Sequence, residues 1–379
     1  MLFRTKNCAG YRRRILVSML LIVSFLFAFS MSPALAGSDK RTVNVMTYNM
    51  DAGTDLGLVF FFASQGQLAL GVSATYGELL QSDISGRAAL LADEIAAQQP
   101  YLISLQEVTL WRTGSSVSNA NDVLFDQLEL LTSALADRNQ HYEVVAVQRL
   151  TDVAAPLYLS LIGMPADPAK AALRFTDRDV VLARTDLKQS ELDLSNVQKH
   201  LFEHTLIVPL GQLSVTSLHG WISVDAKIRG KSVRFGCTHL ESTYPDTPFE
   251  VQAKGIQADQ AAELIEAMNA DELPVILAGD FNSDASGLDI VPDQTSTYVD
   301  ILRAGYTDAW HLALLRGDPG LTWPLFLEDP LASNPLGPIE RIDFIFARDM
   351  TTLDVRRVGF QIPYASDHAG VVAVLRIDK

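Results

Sequence analysis

Cysteine is almost absent from this chain, which has only Cys8 and Cys237 among its 379 residues. No Cys-x-x-Cys pair is present, so the cysteine ligands that many zinc sites use are missing. The chain also lacks the Gly-x-Ser-x-Gly motif of serine hydrolases and a glycine-rich phosphate loop followed by lysine. A zinc site and a serine nucleophile are therefore the less favoured interpretations.

Basic residues are also scarce, with 30 Lys and Arg against 45 Asp and Glu and a net charge of −15. Five of the 30 basic residues and no acidic ones precede residue 37, so the remainder has 25 basic against 45 acidic residues. Affinity for nucleic acid normally comes from Lys and Arg that displace counterions. This balance, without a cluster of basic residues interleaved with aromatics, leans against a polynucleotide substrate but does not exclude a nuclease.

Long apolar runs are limited to residues 15–29, which follow several basic residues and lead into Ala34-Leu35-Ala36. This order is typical of a secretory signal peptide, and about fifteen apolar residues are too few to span a bilayer comfortably. We predict a signal peptide at residues 1–36, a single catalytic domain at residues 37–379, and a periplasmic or secreted protein. Cys237 would then have no disulfide partner.

Short β-rich runs that alternate with amphipathic stretches make up the rest of the chain, and 48% of all residues are hydrophobic. Strands are predicted at residues 43–48, 101–105, 142–147, 179–183, 206–213, 221–228, 232–237, 275–277, 341–347 and 370–377. Helices are predicted at residues 87–98, 121–138, 251–268 and 298–304. The mixture of hairpins and β-α-β units favours an α+β fold, a sandwich of two sheets covered by helices.

Three segments have no assigned role. Residues 56–80 form an apolar insertion that is either a packed helix or an exposed apolar lip for a membrane or lipid substrate. Residues 150–176 and the Pro-rich residues 317–338 have no clear periodicity and are interpreted as irregular connections. All three fall where loops would border a cleft.

Polar side chains recur where predicted strands begin or end. Asp280 and Asn282 follow the apolar run 274–277, and alternation along an extended chain sends residues i and i+2 to the same side. A single Asp-x-Asn turn has an ordinary structural explanation, because strand ends meet solvent. Seven further candidates stand at or next to other strands: Asn49, Asp51, Glu107, His239, Asp343, Asp367 and His368. This recurrence favours one shared site.

The residue types suit metal-assisted attack on a phosphate ester. A hard cation such as Mg²⁺ prefers carboxylate oxygens, which Glu107, Asp51 and Asp367 offer. Attack by water needs an acceptor for its proton, and Asp280 is the candidate. The other candidates orient the water and the phosphate, bind a phosphoryl oxygen, or position one another: Asn49, Asn282, His368, His239 and Asp343.

The ordered motifs resemble those of the endonuclease/exonuclease/phosphatase superfamily, which includes deoxyribonucleases, exonuclease III, neutral sphingomyelinases and inositol polyphosphate 5-phosphatases. The resemblance spans residues 43–377 and rests on six motifs: Thr47-Tyr48-Asn49-Met50-Asp51, Leu105-Gln106-Glu107, Thr238-His239-Leu240-Glu241, Gly279-Asp280-Phe281-Asn282, Arg341-Ile342-Asp343-Phe344 and Ser366-Asp367-His368. It implies a four-layer α/β/β/α sandwich with two mixed β-sheets packed face to face. It also implies that Glu107 is the main ligand of Mg²⁺ (or Mn²⁺), with Asn49, Asp51 and Asp367 in support.

The resulting hypothesis is an exported Mg²⁺-dependent phosphoesterase that hydrolyses a phosphodiester by metal-assisted attack of water. The alternatives are a phosphomonoesterase acting on a phosphorylated lipid or inositol, and a non-catalytic binding protein that keeps the fold. Nucleic acid and phospholipid both stay open as the substrate. We expect no membrane span in the mature chain and no obligate protein partner.

Overall fold

The computed structural model describes residues 41–210, 213–245, 247–285, 295–326, 333–334 and 336–378. The predicted signal peptide lies outside these ranges, as does part of the predicted connection 317–338. Lys40–Lys379 cluster as one unit. The assignment of a signal peptide followed by a single catalytic domain stays a prediction.

Strands dominate the described part of the chain. In chain order they are β1 Thr42–Asn49, β2 Leu102–Gln106, β3 Leu110–Gly114, β4 Asp122–Asp126, β5 Tyr142–Pro156, β6 Ala172–Arg184, β7 Leu192–Leu201, β8 Leu206–Leu210, β9 Leu213–Ser217, β10 Gly220–Ile228, β11 Lys231–His239, β12 Val275–Asp280, β13 Thr307–Asp308, β14 Asp343–Arg348, β15 Met350–Val358 and β16 Gly370–Ile377. The α-helices are α1 Gly57–Ser64, α2 Leu68–Leu79, α3 Ile84–Gln98, α4 Gln127–Asp137, α5 Glu250–Met268, α6 Thr297–Arg303 and α7 His311–Leu314.

Two mixed sheets form the body of the fold. The first has the order β15-β16-β1-β2-β6-β3-β4, with β5 also paired to β6, and the second has the order β13-β14-β12-β11-β10-β7. Each contains one parallel pair, β1 with β2 and β11 with β12, among antiparallel neighbours. Asn49 lies level with Gln106 in the first sheet, and His239 lies level with Asp280 in the second. The carboxyl ends of these four strands therefore carry the motifs.

Alternation along β1 shows how the layers form. Val43 and Val45 point into the core between the sheets, whereas Met46 and Tyr48 point into a second core with α3 and α4. On the far side, the second sheet packs against α5 and α6. A period of two places alternate residues on opposite faces, so the central strands of each sheet, such as β2 and β12, are buried on both faces. The predicted four-layer α/β/β/α sandwich is confirmed.

The predicted helix at residues 121–138 is wrong in its first part. Asp122–Asp126 is strand β4, and α4 begins only at Gln127. The side chain of Asp126 accepts hydrogen bonds from the backbone N–H groups of Leu128 and Glu129. Asp126 is therefore the N-cap, and this capping interaction sets the start of the helix.

Two other sequence expectations also need correction. The sequence also predicts that the segments 206–213, 221–228 and 232–237 are antiparallel neighbours, which is wrong for the first of them. Strand β8 pairs with β9 in a separate two-stranded hairpin, and β7 lies beside β10 instead. Most of β7 is polar and exposed, so this segment has too few apolar residues to be predicted as a strand from the sequence. Residues 150–176 are not irregular throughout, because β5 extends to Pro156 and pairs with β6 from Ala172.

The apolar insertion at residues 56–80 is helical, as one of the two interpretations held. It forms the helices α1 and α2, which contact each other and are the first elements after β1. Phe61 is exposed and Phe60 is half-buried, so part of the apolar surface of α1 is not covered. In the residues that the structure describes, none of the helices combines the length and the apolar character needed to span a membrane.

Candidate active site

The amide of Asn49, at the end of β1, joins the two sheets at the site. Its Nδ2 donates to Glu107 Oε1 at 2.9 Å, beyond β2 of the same sheet, and to Asp280 Oδ2 at 3.0 Å, at the end of β12 in the opposite sheet. Asn49 is fully buried and Asp280 nearly so. One side chain thus holds two carboxylates in place, with both of its N–H groups used.

Three of the candidate residues have left-handed backbone conformations. Asp51, Glu107 and Asn282 have φ values of 60°, 52° and 49°. Such conformations are uncommon for residues other than glycine and cluster at functional sites, where the surrounding fold maintains them. Each occurs just after a strand, so each strand ends in a sharp turn at the cleft.

His368 forms the centre of a compact group with two aspartates. Its Nδ1 lies 2.9 Å from Asp343 Oδ2 and 3.9 Å from Asp280 Oδ2. Burial disfavours the cationic ring, but Asp343, Asp367 and Asp280 more than offset this and raise the pKa of His368 well above its usual range. These charges favour the cationic imidazole, whose Nδ1–H donates to Asp343.

The carboxylate of Asp280 is held by two donors. Its Oδ1 accepts from the backbone N–H of Asn282 at 2.9 Å, and its Oδ2 accepts from Asn49. Burial and the nearby charge of Asp343 raise the pKa of Asp280 to about 7, although His368 and the two hydrogen bonds act in the opposite direction. A carboxylate with such a pKa accepts a proton more readily than a solvent-exposed aspartate.

His239 faces the same carboxylate from the second sheet. Its Nε2 lies 3.7 Å from Asp280 Oδ2 and 3.2 Å from the Asn282 amide nitrogen. Burial and the nearby rings of His219 and His368 lower the pKa of His239 well below its usual range. A neutral His239 accepts from Asn282 through Nε2, and the structure provides no partner for its Nδ1 among the described residues.

The three predicted metal ligands all line the cleft but have different surroundings. Burial, together with Asp177 and Asp367, raises the pKa of Glu107 to about 8. Asp51 is bound by Arg87, with 3.0 Å between Nη2 and Oδ2, and Asp367 Oδ2 accepts from Trp323 Nε1 at 2.9 Å. Within the described residues, the closest set of ligand atoms is instead Asp280, Asp343 and His368, all within 4.8 Å of one another.

Several ionisable residues at the site were missed from the sequence. Asp177 and Asp179 lie in β6, which was assigned only from residue 179 onward, and His219 directly precedes β10. His219 Nε2 lies 3.4 Å from Glu241 Oε1. Both oxygens of Asp179, Nδ1 of His219 and Oε2 of Glu241 are buried without a partner among the described residues. Their position next to predicted strand ends was the signal that could have identified them.

The donor set fits a hard divalent cation. It is rich in carboxylate oxygens, and the charges of Asp367 and Asp51 are close enough to Glu107 to raise its pKa. Carboxylates this close repel one another unless they are protonated or neutralised, and a bound divalent cation neutralises them. Glu107, Asp51 and Asp367 are the residues that would hold such a cation at the cleft.

One histidine pair has a spacing that zinc sites use, because His200 and His204 are four residues apart. His200 lies in strand β7 and His204 just beyond it, so no helix brings the two side chains to one face. The exposed ring of His204 binds Glu263, with 2.6 Å between Nδ1 and Oε1. This pair does not line the cleft that holds the candidate residues.

We predict that the metal-free protein loses stability between about pH 5 and about pH 8. The buried carboxyls of Glu107, Asp280 and Asp367 have pKa values of about 8, 7 and 6, against 4.5, 3.8 and 3.8 for ordinary groups. In this window the folded state binds more protons than the unfolded chain, so stability falls as the pH rises. Thermal unfolding in EDTA across this pH range measures the effect.

The raised pKa of His368 acts in the same direction. Its contribution to the free energy of unfolding is lost as the pH rises through the pKa that His368 has in the folded protein. The lowered pKa of His239 acts oppositely, but only below about pH 6.5, its ordinary value. A Glu107→Gln variant should show a shallower fall, since it has one fewer carboxyl to deprotonate. A midpoint that rises steadily over the whole range would contradict the prediction.

Comparison with known proteins gives a consistent result. The model of the Endonuclease/Exonuclease/phosphatase family matches residues 46–368. Among solved structures, an endonuclease/exonuclease/phosphatase from Bacteroides vulgatus is 14% identical with a TM-score of 0.51, covering 89% of this chain and 99% of its own. A family protein from Leptotrichia buccalis is 15% identical with a TM-score of 0.50, covering 88% and 99%. No curated protein matches the sequence significantly.

Proposed function

Because the chain belongs to the endonuclease/exonuclease/phosphatase family, we propose that it is an exported, Mg²⁺-dependent phosphodiesterase. Members of the family are metal-dependent phosphoester hydrolases. The observation that carries the proposal is the Asn49 amide, which bridges Glu107 and Asp280 at 2.9 and 3.0 Å. It couples a carboxylate suited to a metal with a carboxylate suited to accept a proton.

Glu107, Asp51 and Asp367 would hold the Mg²⁺, and the oxygen-rich site supports this choice of cation. When bound, the cation supplies positive charge that stabilises the negative charge developing on the phosphate. Arg87 fixes the carboxylate of Asp51, and the indole of Trp323 fixes that of Asp367. These contacts keep both oxygen donors oriented before substrate arrives.

Asp280 takes the proton of the attacking water in this mechanism. Its pKa of about 7 places it near neutrality, where a general base is most effective. Asn49 and the backbone N–H of Asn282 hold the carboxylate in place. Neutral His239, 3.7 Å from Asp280 Oδ2, adds no competing positive charge beside the base.

His368 acts on the phosphate itself. Asp343 holds its Nδ1–H, so Nε2–H is the donor left for a phosphoryl oxygen or the leaving oxygen. The cationic ring stabilises negative charge that develops in the transition state. Asp343 is thus a positioning residue that fixes the ring and supports its charge.

The charge of the cleft supports a diester rather than a monoester. Nine carboxylate side chains line it, and Arg87 is the only Lys or Arg side chain among the described lining residues. A phosphodiester carries one negative charge, whereas a monoester near neutral pH carries close to two. Repulsion therefore disfavours the monoester, even though a bound cation weakens it.

The test uses bis(p-nitrophenyl) phosphate as the diester and p-nitrophenyl phosphate as the monoester. We expect hydrolysis of the diester with Mg²⁺ or Mn²⁺, little hydrolysis of the monoester, and loss of activity in EDTA. Faster turnover of the monoester would overturn the diester assignment, and no turnover of either ester with metal would overturn the activity. Export is tested separately by N-terminal sequencing of the mature protein, which we expect to begin after Ala36.

A further inference from the structure

The candidate active site lies in a cleft of about 760 Å³ that extends well beyond the catalytic residues. The extension has apolar walls on two sides, provided by the helices α1 and α2 and by the β8–β9 hairpin. Neither element contributes a residue to the predicted catalytic or metal-binding set. An open apolar groove that is continuous with a reactive site favours an apolar occupant, because burying such a surface away from water is favourable.

Phe60 is one of the α1 residues that line the cleft. Its ring meets that of Tyr244 edge to face, with 6.2 Å between the centroids, and both residues pack against the buried apolar cluster that contains Val208 of β8. Val72 of α2 and Phe175 of β6 continue the apolar lining. The next residue in α1, Phe61, is 58% exposed and does not line the cleft.

The hairpin wall follows the alternation of a strand. Val208 and Leu210 are buried and line the cleft, and Leu213 lines it as well although 53% of its surface is exposed. Ile207 points to the other side, does not line the cleft, and is 58% exposed. The hairpin therefore presents apolar side chains toward the cleft, including one that is open to solvent.

The charges of the cleft argue against a polynucleotide. No Lys is among the described lining residues, and the guanidinium of Arg87 is already bound by Asp51 and by the backbone oxygens of Met50 and Ala365. Binding of a polynucleotide relies on several cations that contact successive phosphates. A single phosphodiester requires no cation beyond those at the reactive site.

We infer that the substrate is amphiphilic: a single phosphodiester joined to an apolar chain that lies between α1–α2 and the β8–β9 hairpin. The inference rests on the proposed phosphodiesterase activity and specifies its substrate class. The phosphate occupies the acidic floor at Asp280 and His368, and the apolar chain contacts Phe60 and Leu213. The same chemistry occurs in a soluble amphiphile and in a membrane phospholipid.

The test compares p-nitrophenyl phosphodiesters that differ only in an alkyl group, methyl against hexyl, in Mg²⁺. Full burial of a methylene is worth roughly a fourfold gain per group. Because part of the groove is open, we expect kcat/KM to rise by at least about tenfold from methyl to hexyl. Equal values for the two esters would overturn the inference while leaving the activity intact; hydrolysis of neither would overturn the activity itself.

Two double variants separate groove contacts from general effects of removing apolar surface. In Phe60→Ser/Leu213→Ser, the hexyl-to-methyl ratio of kcat/KM should fall to about threefold or less, because few methylenes remain buried. In the matched control Phe61→Ser/Ile207→Ser, which changes exposed residues of the same two elements, the ratio should stay at the wild-type value. If the hexyl-to-methyl ratio falls equally in both double variants, or falls in neither of them, the role of the groove is overturned. The ratio is insensitive to a partial loss of folded protein.

Two further substrates identify the class of molecule that carries the apolar chain. Single-stranded DNA should be hydrolysed more slowly than the hexyl ester, and faster cleavage of DNA would overturn the inference in favour of a polynucleotide. Phosphatidylcholine vesicles test the membrane source. Hydrolysis of vesicles and hexyl ester alike supports a lipid substrate, whereas hydrolysis of the hexyl ester alone supports a soluble amphiphile.

Discussion

Replacing Asp280 with Asn should lower kcat/KM for bis(p-nitrophenyl) phosphate by roughly 10³-fold, the middle of the range for loss of a general base. The substitution keeps the shape of the side chain, and its single oxygen can accept from Asn49, while the hydrogen bond from the backbone N–H of Asn282 is lost. It removes the group that takes the proton, whose pKa of about 7 is set by burial and by Asp343. The loss should be mainly in kcat, because substrate contacts are retained.

Asp271→Asn provides the control for Asp280→Asn. It makes the same chemical change before β12 begins, whereas Asp280 is the last residue of the strand. Asp271 is bound to Arg234 at 2.8 Å and does not line the cleft. We expect this control to stay within about twofold of wild type, since surface substitutions away from a site have small effects. An Asp280→Asn protein with wild-type kcat would remove Asp280 from the mechanism.

Replacing Glu107 with Gln should cost on the order of 10³-fold in activity, because a bound cation contributes several kcal/mol of charge stabilisation. We expect Mg²⁺ to raise the thermal midpoint of the wild type, and the variant should lose this rise, since a cation stabilises only a protein that binds it. This second measurement needs no substrate and separates metal binding from catalysis. The hydrogen bond from Asn49 to Glu107 Oε1 can be kept by the Gln side-chain oxygen.

Glu143→Gln serves as the control for Glu107→Gln. Glu143 is exposed on β5 and lies outside the cleft. Its variant should retain both the activity and the Mg²⁺ response of the wild type. If Glu107→Gln kept its Mg²⁺-dependent midpoint, the cation would have to be held by other groups, with Asp280, Asp343 and His368 as the next candidates.

The buried acids also bear on the alternative of a non-catalytic binding protein. Glu107, Asp280 and Asp367 are held where burial raises their pKa values, which lowers the stability of the metal-free protein near neutral pH. A fold kept only for binding would gain stability by replacing them. Strongly perturbed carboxyls that converge in a cleft instead favour catalysis.

The central layers of the fold and the strand-end residues were accessible from sequence for a simple reason. Residues 275–277 form a continuous apolar run that is buried, and most of residues 43–48 are apolar and buried, so the polar residues that follow each strand are conspicuous. Edge elements lack this signal. In β7, exposed polar residues are held by pairing with β10, which is a long-range contact that local composition does not encode.

Pairings of site residues were harder to predict than their positions. Asp51 was assigned as a metal ligand from its place after β1, but its contact with Arg87 depends on where α3 packs. Asp177 was missed because it lies inside β6, where the apolar pattern had not begun. The roles of the nine candidate residues in metal binding and catalysis stay predictions until the variants are measured.

Because the Asn49 bridge joins the two sheets, changes far from the cleft can alter the site. Glu107 and Asp280 come from different sheets, and Ser104 Oγ, which donates to the Ala278 carbonyl at 2.8 Å, is a second tie between those sheets. The distance between Glu107 and Asp280 therefore depends on how the two sheets are aligned. We therefore expect that repacking the interior near Val45 or Ile276 lowers the proposed phosphodiesterase activity even when every reactive side chain is kept.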